Sequence, residues 1–323
     1  MLSRFLACTL LACPFLLLAA GAHAGPTNPA ISAIGDMRAL WTESEEDDVE
    51  LEFHELELSF TGPVNPYASA EIYVAAHEGE FEVEEAKLML DRYLPGGFGL
   101  TIGRKLLDFG QLNVVHAHAW PFVDRPLMHS TFFSEDGIRD DGVRLDWLAP
   151  LEAATLRATA GAVRGDVFLG GHGHEEEDKH VERVLPARVG EEGEEADGPE
   201  LGLSGRVDLF LEAGESGSFL IGASVLHGTH DVHEDAKATW FGIDGKASFD
   251  LGPSRALVLN AEAIFGSLDK TEEAASADPN GFFGSVDFRA NRNWNVGGFV
   301  ESATERFDDD VRTNRYGGFV GLA

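Results

Sequence analysis

The sequence predicts an all-β protein, a single antiparallel transmembrane β-barrel of about fourteen strands with short periplasmic turns and a long inward-folding loop. Three observations predict it. Apolar and polar residues alternate with period two over long runs, as in Leu201-x-Leu203-x-Gly205-x-Val207-x-Leu209-x-Leu211 and Trp294-x-Val296-x-Gly298-x-Val300. Connections between these runs alternate between short, turn-like ones and long, polar ones. Beyond residue 24 no apolar run reaches the length of a membrane helix, so strands are the means of crossing left. Runs of this length exceed those of ordinary soluble sandwiches and suit tilted strands that cross a bilayer.

The elements follow in order. Residues 1–24 read as a secretory signal: Arg4 precedes an apolar run from Leu10 to Ala20, and Ala22-His23-Ala24 fits a small-x-small cleavage site. Both cysteines, Cys8 and Cys13, lie inside it, so residues 25–323 carry no thiol chemistry and no disulfide framework. The expected strands are 29–40, 48–61, 64–77, 80–92, 97–107, 138–149, 152–166, 200–212, 217–227, 237–250, 254–267, 281–290, 293–303 and 312–323. Leu51 and Phe53 followed by Leu56, Leu58 and Phe60 break phase, which places a bulge near His54-Glu55. Turns are expected at Thr61-Gly62-Pro63, Leu94–Gly97, Ala149–Glu152, Gly214–Gly217, Leu251–Ser254 and Asn291-Arg292. Long connections are expected at 42–48, 108–137, 167–199, 227–236 and 269–280, with a short one near His77–Gly79 breaking the rule. An even strand number returns both ends to the periplasmic side.

Charge and motifs narrow the function. The chain holds 56 acidic against 24 basic residues, a formal net charge of -32. Phosphate backbones need a basic face, so nucleic acid is excluded as a partner, and cations are the natural counter-charge. No Gly-x-Ser-x-Gly, phosphate-binding loop or dinucleotide fingerprint occurs, which argues against an enzyme. The mean hydropathy of -0.11 is what a barrel gives when lipid-facing and lumen-facing residues average out.

Residues 91–150 are the most distinctive stretch. Gly103-Arg104-Lys105 and Asp108-Phe109-Gly110 are followed by His116-Ala117-His118-Ala119-Trp120-Pro121-Phe122-Val123-Asp124-Arg125-Pro126. This block resembles a family of bacterial outer-membrane proteins labelled zinc-regulated TonB-dependent receptors, related to phosphate-selective-type porins. The resemblance implies the cell outer membrane, contact with its lipid and lipopolysaccharide, a link to zinc, and a homotrimer as the porin-like assembly. One part of the label conflicts with the residues: TonB-dependent transporters enclose a plug in about 22 strands, and this chain has sequence for neither.

Within 108–137, the apolar Trp120, Pro121, Phe122, Val123 and Pro126 make a loop ill-suited to water, so it is expected to fold into the lumen as a constriction. There His116, His118, Asp124 and His129 are candidate metal ligands along the path, with His116 and His118 on one side if extended. Alternatively, Asp124 and Arg125 simply pin the loop to lumen charges. The external connections add His172, His174 and His180 in 167–199, and His227, His230 and His233 in 227–236, each amid carboxylates. Imidazole with carboxylate suits zinc and its neighbours, captured weakly and exchangeably. Arg104, Lys105, Asp108, Arg125, Arg139 and Arg144 are candidate pore-lining charges, equally well explained as lumen salt bridges. The expected function is a porin-like channel assisting passage of divalent metal cations, zinc foremost, into the periplasm, with no tightly bound cofactor and Zn2+ as a transported or transiently bound ion. The alternatives are a metal-capturing barrel without an open pore, and a general or anion-type porin with acidic loops.

Overall fold

The computed structural model describes residues 29–41, 49–77, 80–90, 94–169, 200–272 and 274–322. The signal segment, most of loop 167–199 with His172, His174 and His180, and the acidic run 43–48 lie outside the described residues. Fourteen antiparallel strands form one sheet in strict sequence order. They are β1 (Ala30–Trp41), β2 (Val49–Asn65), β3 (Ala68–His77), β4 (Glu80–Met89), β5 (Phe98–Leu106), β6 (Arg139–Pro150), β7 (Ala154–Val163), β8 (Gly202–Ala213), β9 (Gly217–Asp231), β10 (Ala236–Asp250), β11 (Ala256–Leu268), β12 (Asn280–Arg289), β13 (Trp294–Thr304) and β14 (Arg312–Leu322).

The polarity is inverted relative to a soluble core. On β8–β10 the large apolar residues Val207, Ile221, Phe241 and Ile243 are more than half exposed, while Arg206, Asp208, Ser224 and Asp244 between them are buried. Such a surface suits hydrocarbon outside and a charged interior. The sheet also curls. A flat sheet of fourteen strands about 4.8 Å apart would be roughly 60 Å wide. Yet the segment joining β5 to β6 bonds to residues of β1, β4, β9, β11, β13 and β14. One segment reaches all of these because the sheet wraps around it.

One local feature matches the sequence expectation and three differ from it. The bulge sits at His54, as the phase break requires: Asp36 pairs with Glu55 and Met37 with Phe53. Thr61-Gly62-Pro63 is not a turn, because β2 continues to Asn65, whose Oδ1 accepts the N–H groups of Tyr67 and Ala68 (2.8 and 3.0 Å) and makes the turn there. The connection 227–236 is not a long loop, because β9 runs to Asp231 and β10 starts at Ala236, leaving a tight tip. Finally, the β5–β6 segment carries a short helix, α1 (Leu127–Phe132), that no sequence periodicity announces.

That segment forms the core of the molecule. Leu107, Phe109, Leu112, Trp120, Phe122, Met128, Phe132 and Phe133 are buried against inward residues of the sheet such as Leu226, Trp240, Ile264 and Phe283. The apolar loop is thus inside, as its composition requires. Asn113 ties its neck. It is fully buried, donates to Leu107 O and Ile138 O (2.8 and 2.9 Å), and accepts Ile138 N–H (2.8 Å). Glu262 on β11 anchors the interior, accepting Gln111 and Leu112 N–H (3.1 and 3.3 Å) and pairing with His129 Nε2 (2.5 Å). A side chain at Gly110 would collide with that carboxylate, so only glycine fits there.

Among the described residues no ladder joins β14 to β1. The inward segment bridges them instead: Arg38 on β1 donates to Val123 O (3.5 Å), and Arg315 on β14 donates to Asp124 Oδ2 and Arg125 O (3.1 and 2.8 Å).

Candidate functional site

Two charged constellations line the interior. The first is a ladder of alternating sign on the wall. Arg144 on β6 pairs with Asp146 and Asp108, and Arg157 on β7 pairs with Asp108 and Asp208 (3.2 and 2.8 Å). Arg206 on β8 continues to Asp208 and Asp244 (3.1 and 2.6 Å), where both Arg206 and Asp244 are wholly buried. The period-two alternation of β6, β7, β8 and β10 points these residues inward. Of the pore-lining candidates, Arg144 and Asp108 are in this ladder. Lys105 is buried beside it with no hydrogen-bond partner for Nζ.

The other candidates lie elsewhere. Arg104 pairs with Asp141 (2.9 Å), and Arg139 bonds to Glu82 (2.5 Å), around a cavity of about 870 Å³ that Asp140 and Asp166 also line. These arginines share the strand parity of outward Ile102 and Val143, so they serve the rim rather than the wall. Arg125 faces its own segment: it lies over the Trp120 ring (5.0 Å) and donates to Glu135 O (2.7 Å).

The second constellation gathers around His116. Its Nδ1 lies 2.8 Å from Glu57 Oε2 and 3.8 Å from Glu84 Oε2, and its Nε2 lies 2.9 Å from Glu85 Oε1. His118 Nδ1 approaches the same Glu57 oxygen at 3.5 Å. Tyr73 on β3 stacks on the His116 ring with centroids 4.5 Å apart. His116 and His118 are not on an extended stretch: His116 precedes a 3-10 turn over Ala117–Ala119 and His118 is its middle residue, and they still reach the same carboxylate. The acids come from β2 and β4. A bulge in β4 pairs Tyr73 with Glu85 and Val74 with Val83, leaving Glu84 unpaired. This is how two consecutive glutamates approach one imidazole, since regular strands send neighbours to opposite faces.

Burial by itself would lower the His116 imidazolium, but hydrogen bonds and charge from Glu57 and Glu85 outweigh it and push it up to about 10. The ring is therefore a cation at neutral pH, held among carboxylates. The sequence reading picked out His116 and His118 but missed Glu57, Glu84, Glu85 and Tyr73. The available signal was the doublet Glu84-Glu85, which breaks the alternation between Val83 and Ala86, Leu88.

The remaining candidate ligands do not join this cluster. His129 is fully buried on α1 against Glu262, and Asp124 pairs with Arg315. His227 faces outward and meets Thr239 Oγ1 (2.9 Å), whereas His230 faces inward and meets Asp269 O (3.0 Å). Strand parity thus separates two of the three histidines expected to act together. His233 sits at the exposed tip.

No family model matches the chain. An uncharacterized protein of Aquifex aeolicus (strain VF5) is 38% identical over 95 residues, which covers 29% of this chain and 20% of that protein. The chain thus spans about a fifth of the length of the curated relative it matches. Among solved structures, in-vitro folded OmpT, an outer membrane protein of Vibrio cholerae, aligns with a TM-score of 0.45 at 11% identity, over 94% of this chain and 100% of that one. The anion-selective porin from Comamonas acidovorans aligns at 0.45 and 10% identity, over 91% and 100%. The outer membrane channel DcaP of Acinetobacter baumannii aligns at 0.44 and 12% identity, over 91% and 96%.

Proposed function

We propose that the protein is a porin-like channel of the outer membrane, passive and non-enzymatic, that favours cations and assists passage of divalent metal ions. The observation that carries this reading is the inverted polarity. Apolar side chains cover the outside of the curled sheet, while charges line the inside around a narrowing segment. Only a sheet with its lipid-facing side apolar and its lumen polar needs that arrangement. The cation preference is supported by the formal charge of -32 and by the acidic groups gathered around His116. Energised uptake forms no part of this reading.

Reconstitution into planar bilayers tests it. Stepwise conductance in KCl with a reversal potential displaced toward the cation value is the expected result. A lumen closed by the inward segment gives no steps, and that outcome favours the capture-only alternative, for which the dense apolar packing of Trp120, Phe122 and Phe132 is the supporting observation. Anion-directed reversal potentials overturn the cation preference.

A further inference from the structure

We propose that Glu57, Glu84, His116 and His118 form a binding site for a divalent transition-metal cation on the inner wall, with Glu85 orienting the His116 ring. The site deepens the channel reading and rests on it for a role in passage, but not for binding.

Three features of geometry point this way. One donor atom each from Glu57, Glu84 and His116 lies within 4.8 Å of the others, a spacing that a single ion can span after small side-chain adjustments. His118 Nδ1 stands 3.5 Å from Glu57 Oε2, so a second imidazole is at hand. Two imidazole nitrogens and two carboxylate oxygens suit zinc or cobalt in tetrahedral geometry, and suit calcium or magnesium poorly, because those ions take oxygen donors in greater number.

The surroundings are built as metal sites are built. His116 turns Nδ1 toward Glu57 and Glu84 and Nε2 toward Glu85 (2.9 Å), so an ion entering the site takes the place of the Nδ1 proton that the metal-free ring carries. A carboxylate on the far nitrogen fixes the tautomer and ring orientation of a ligating histidine. Tyr73 stacks on the ring's face, and Lys87 Nζ holds Glu85 from its other side (2.9 Å). Glu84 Oε2 is buried and accepts no hydrogen bond. His116 Nδ1 faces it at 3.8 Å, beyond hydrogen-bond length, so this oxygen keeps its lone pairs for an ion. The bulge that brings Glu84 into the group is the kind of irregularity strands use to re-aim a side chain. The site stays open to the lumen, with His118 and Glu84 about a fifth exposed against 4% for Glu57.

The test uses the full chain refolded in detergent, with heat-modifiable gel mobility as the check on folding of every variant. Zn2+ binding is measured by equilibrium dialysis in a background where His172, His174 and His180 are all alanine. One tight equivalent is expected, weakened about 10- to 100-fold in Glu85→Gln and by more in His116→Ala and Glu84→Gln. Ca2+ should compete poorly. His227→Ala, on the outer face, should bind as its parent. X-ray absorption at the zinc edge should show two imidazoles. Binding unchanged in both His116→Ala and Glu84→Gln, or Ca2+ bound as tightly as Zn2+, overturns the site. Conductance in metal-free KCl is a separate arm. Zinc binding without conductance overturns the channel reading and leaves the site standing, whereas conductance without zinc binding does the reverse.

Discussion

His116 shows how far one residue's behaviour depends on its neighbours. Its imidazolium is held up to about 10, above the ordinary 6.5, after Glu57 and Glu85 outweigh burial. In metal-free protein, the ring's NMR titration should therefore show no transition between pH 6 and 8. Because the folded value is raised, the ring's contribution to stability is full below about pH 6.5 and fades as pH rises through about 10. Thermal unfolding should reflect this, and His116→Gln should flatten that part of the pH dependence. An imidazole titrating near 6.5 would refute the assignment. Glu262 presents a different case, since its carboxylate is fully buried with His129 and two loop amides. Removing one partner of a buried pair typically costs about 3–5 kcal/mol. Glu262→Ala should lose stability on that scale in denaturant unfolding, and a change below about 1 kcal/mol would show that the anchor is dispensable.

At the scale of the element, the segment between β5 and β6 is held at its neck and along its length by different means. Asn113 ties the neck with three hydrogen bonds to Leu107 and Ile138, and Trp120 and Phe122 bury its middle. Asn113→Leu leaves Ile138 N–H without its acceptor, at about 1–3 kcal/mol for the unsatisfied group, while Leu107 O and Ile138 O keep the N–H groups of Phe109 and Leu107 (both 2.8 Å). It should loosen the segment, raising single-channel conductance and its fluctuation. Unchanged conductance would mean that the segment does not restrict the path. The two bulges, at His54 in β2 and Glu84 in β4, belong to this scale as well. Each resets the inward face of its strand. The first keeps Glu57 pointing inward while Leu51, Phe53, Leu56 and Leu58 stay on the outer face, and the second adds Glu84 to Glu85.

For the whole molecule, the acidic excess and the sheet's edges matter most. Long-range attraction by the net charge should make cation selectivity fall as salt rises from 0.1 to 1 M, since the screening length shrinks from about 10 to 3 Å. Selectivity that survives at high salt would point to close contacts in the lumen instead. Among the described residues β1 and β14 end the sheet, and in a channel that spans the bilayer such edges would not face hydrocarbon, because lipid offers no hydrogen bonds to their amides. In lipid nanodiscs, amide exchange in β1 and β14 should be as slow as in β13, with the bridge through Val123, Asp124 and Arg125 holding the two strands in reach. Fast exchange confined to the two edge strands would show that the seam stays open in the bilayer.

The number and order of strands, the bulge at His54 and the inward fate of the apolar segment were legible in the sequence, because each follows from local alternation and composition. The turn after β2 was misread at Gly62-Pro63, since the decisive hydrogen bonds come from Asn65, two residues on. His116 and His118 stood out as residue types, but Glu57, Glu84 and Glu85 did not. Their meeting depends on strand register, on a bulge and on the path of a segment tied down by Asn113 and Glu262. Likewise, His227 and His230 look like one cluster in sequence and lie on opposite faces in space. The sequence by itself determined which side of each strand is apolar, because that is a property of neighbours along the chain. The tertiary structure alone decided which charges meet, because contacts across a curled sheet are set by register and closure.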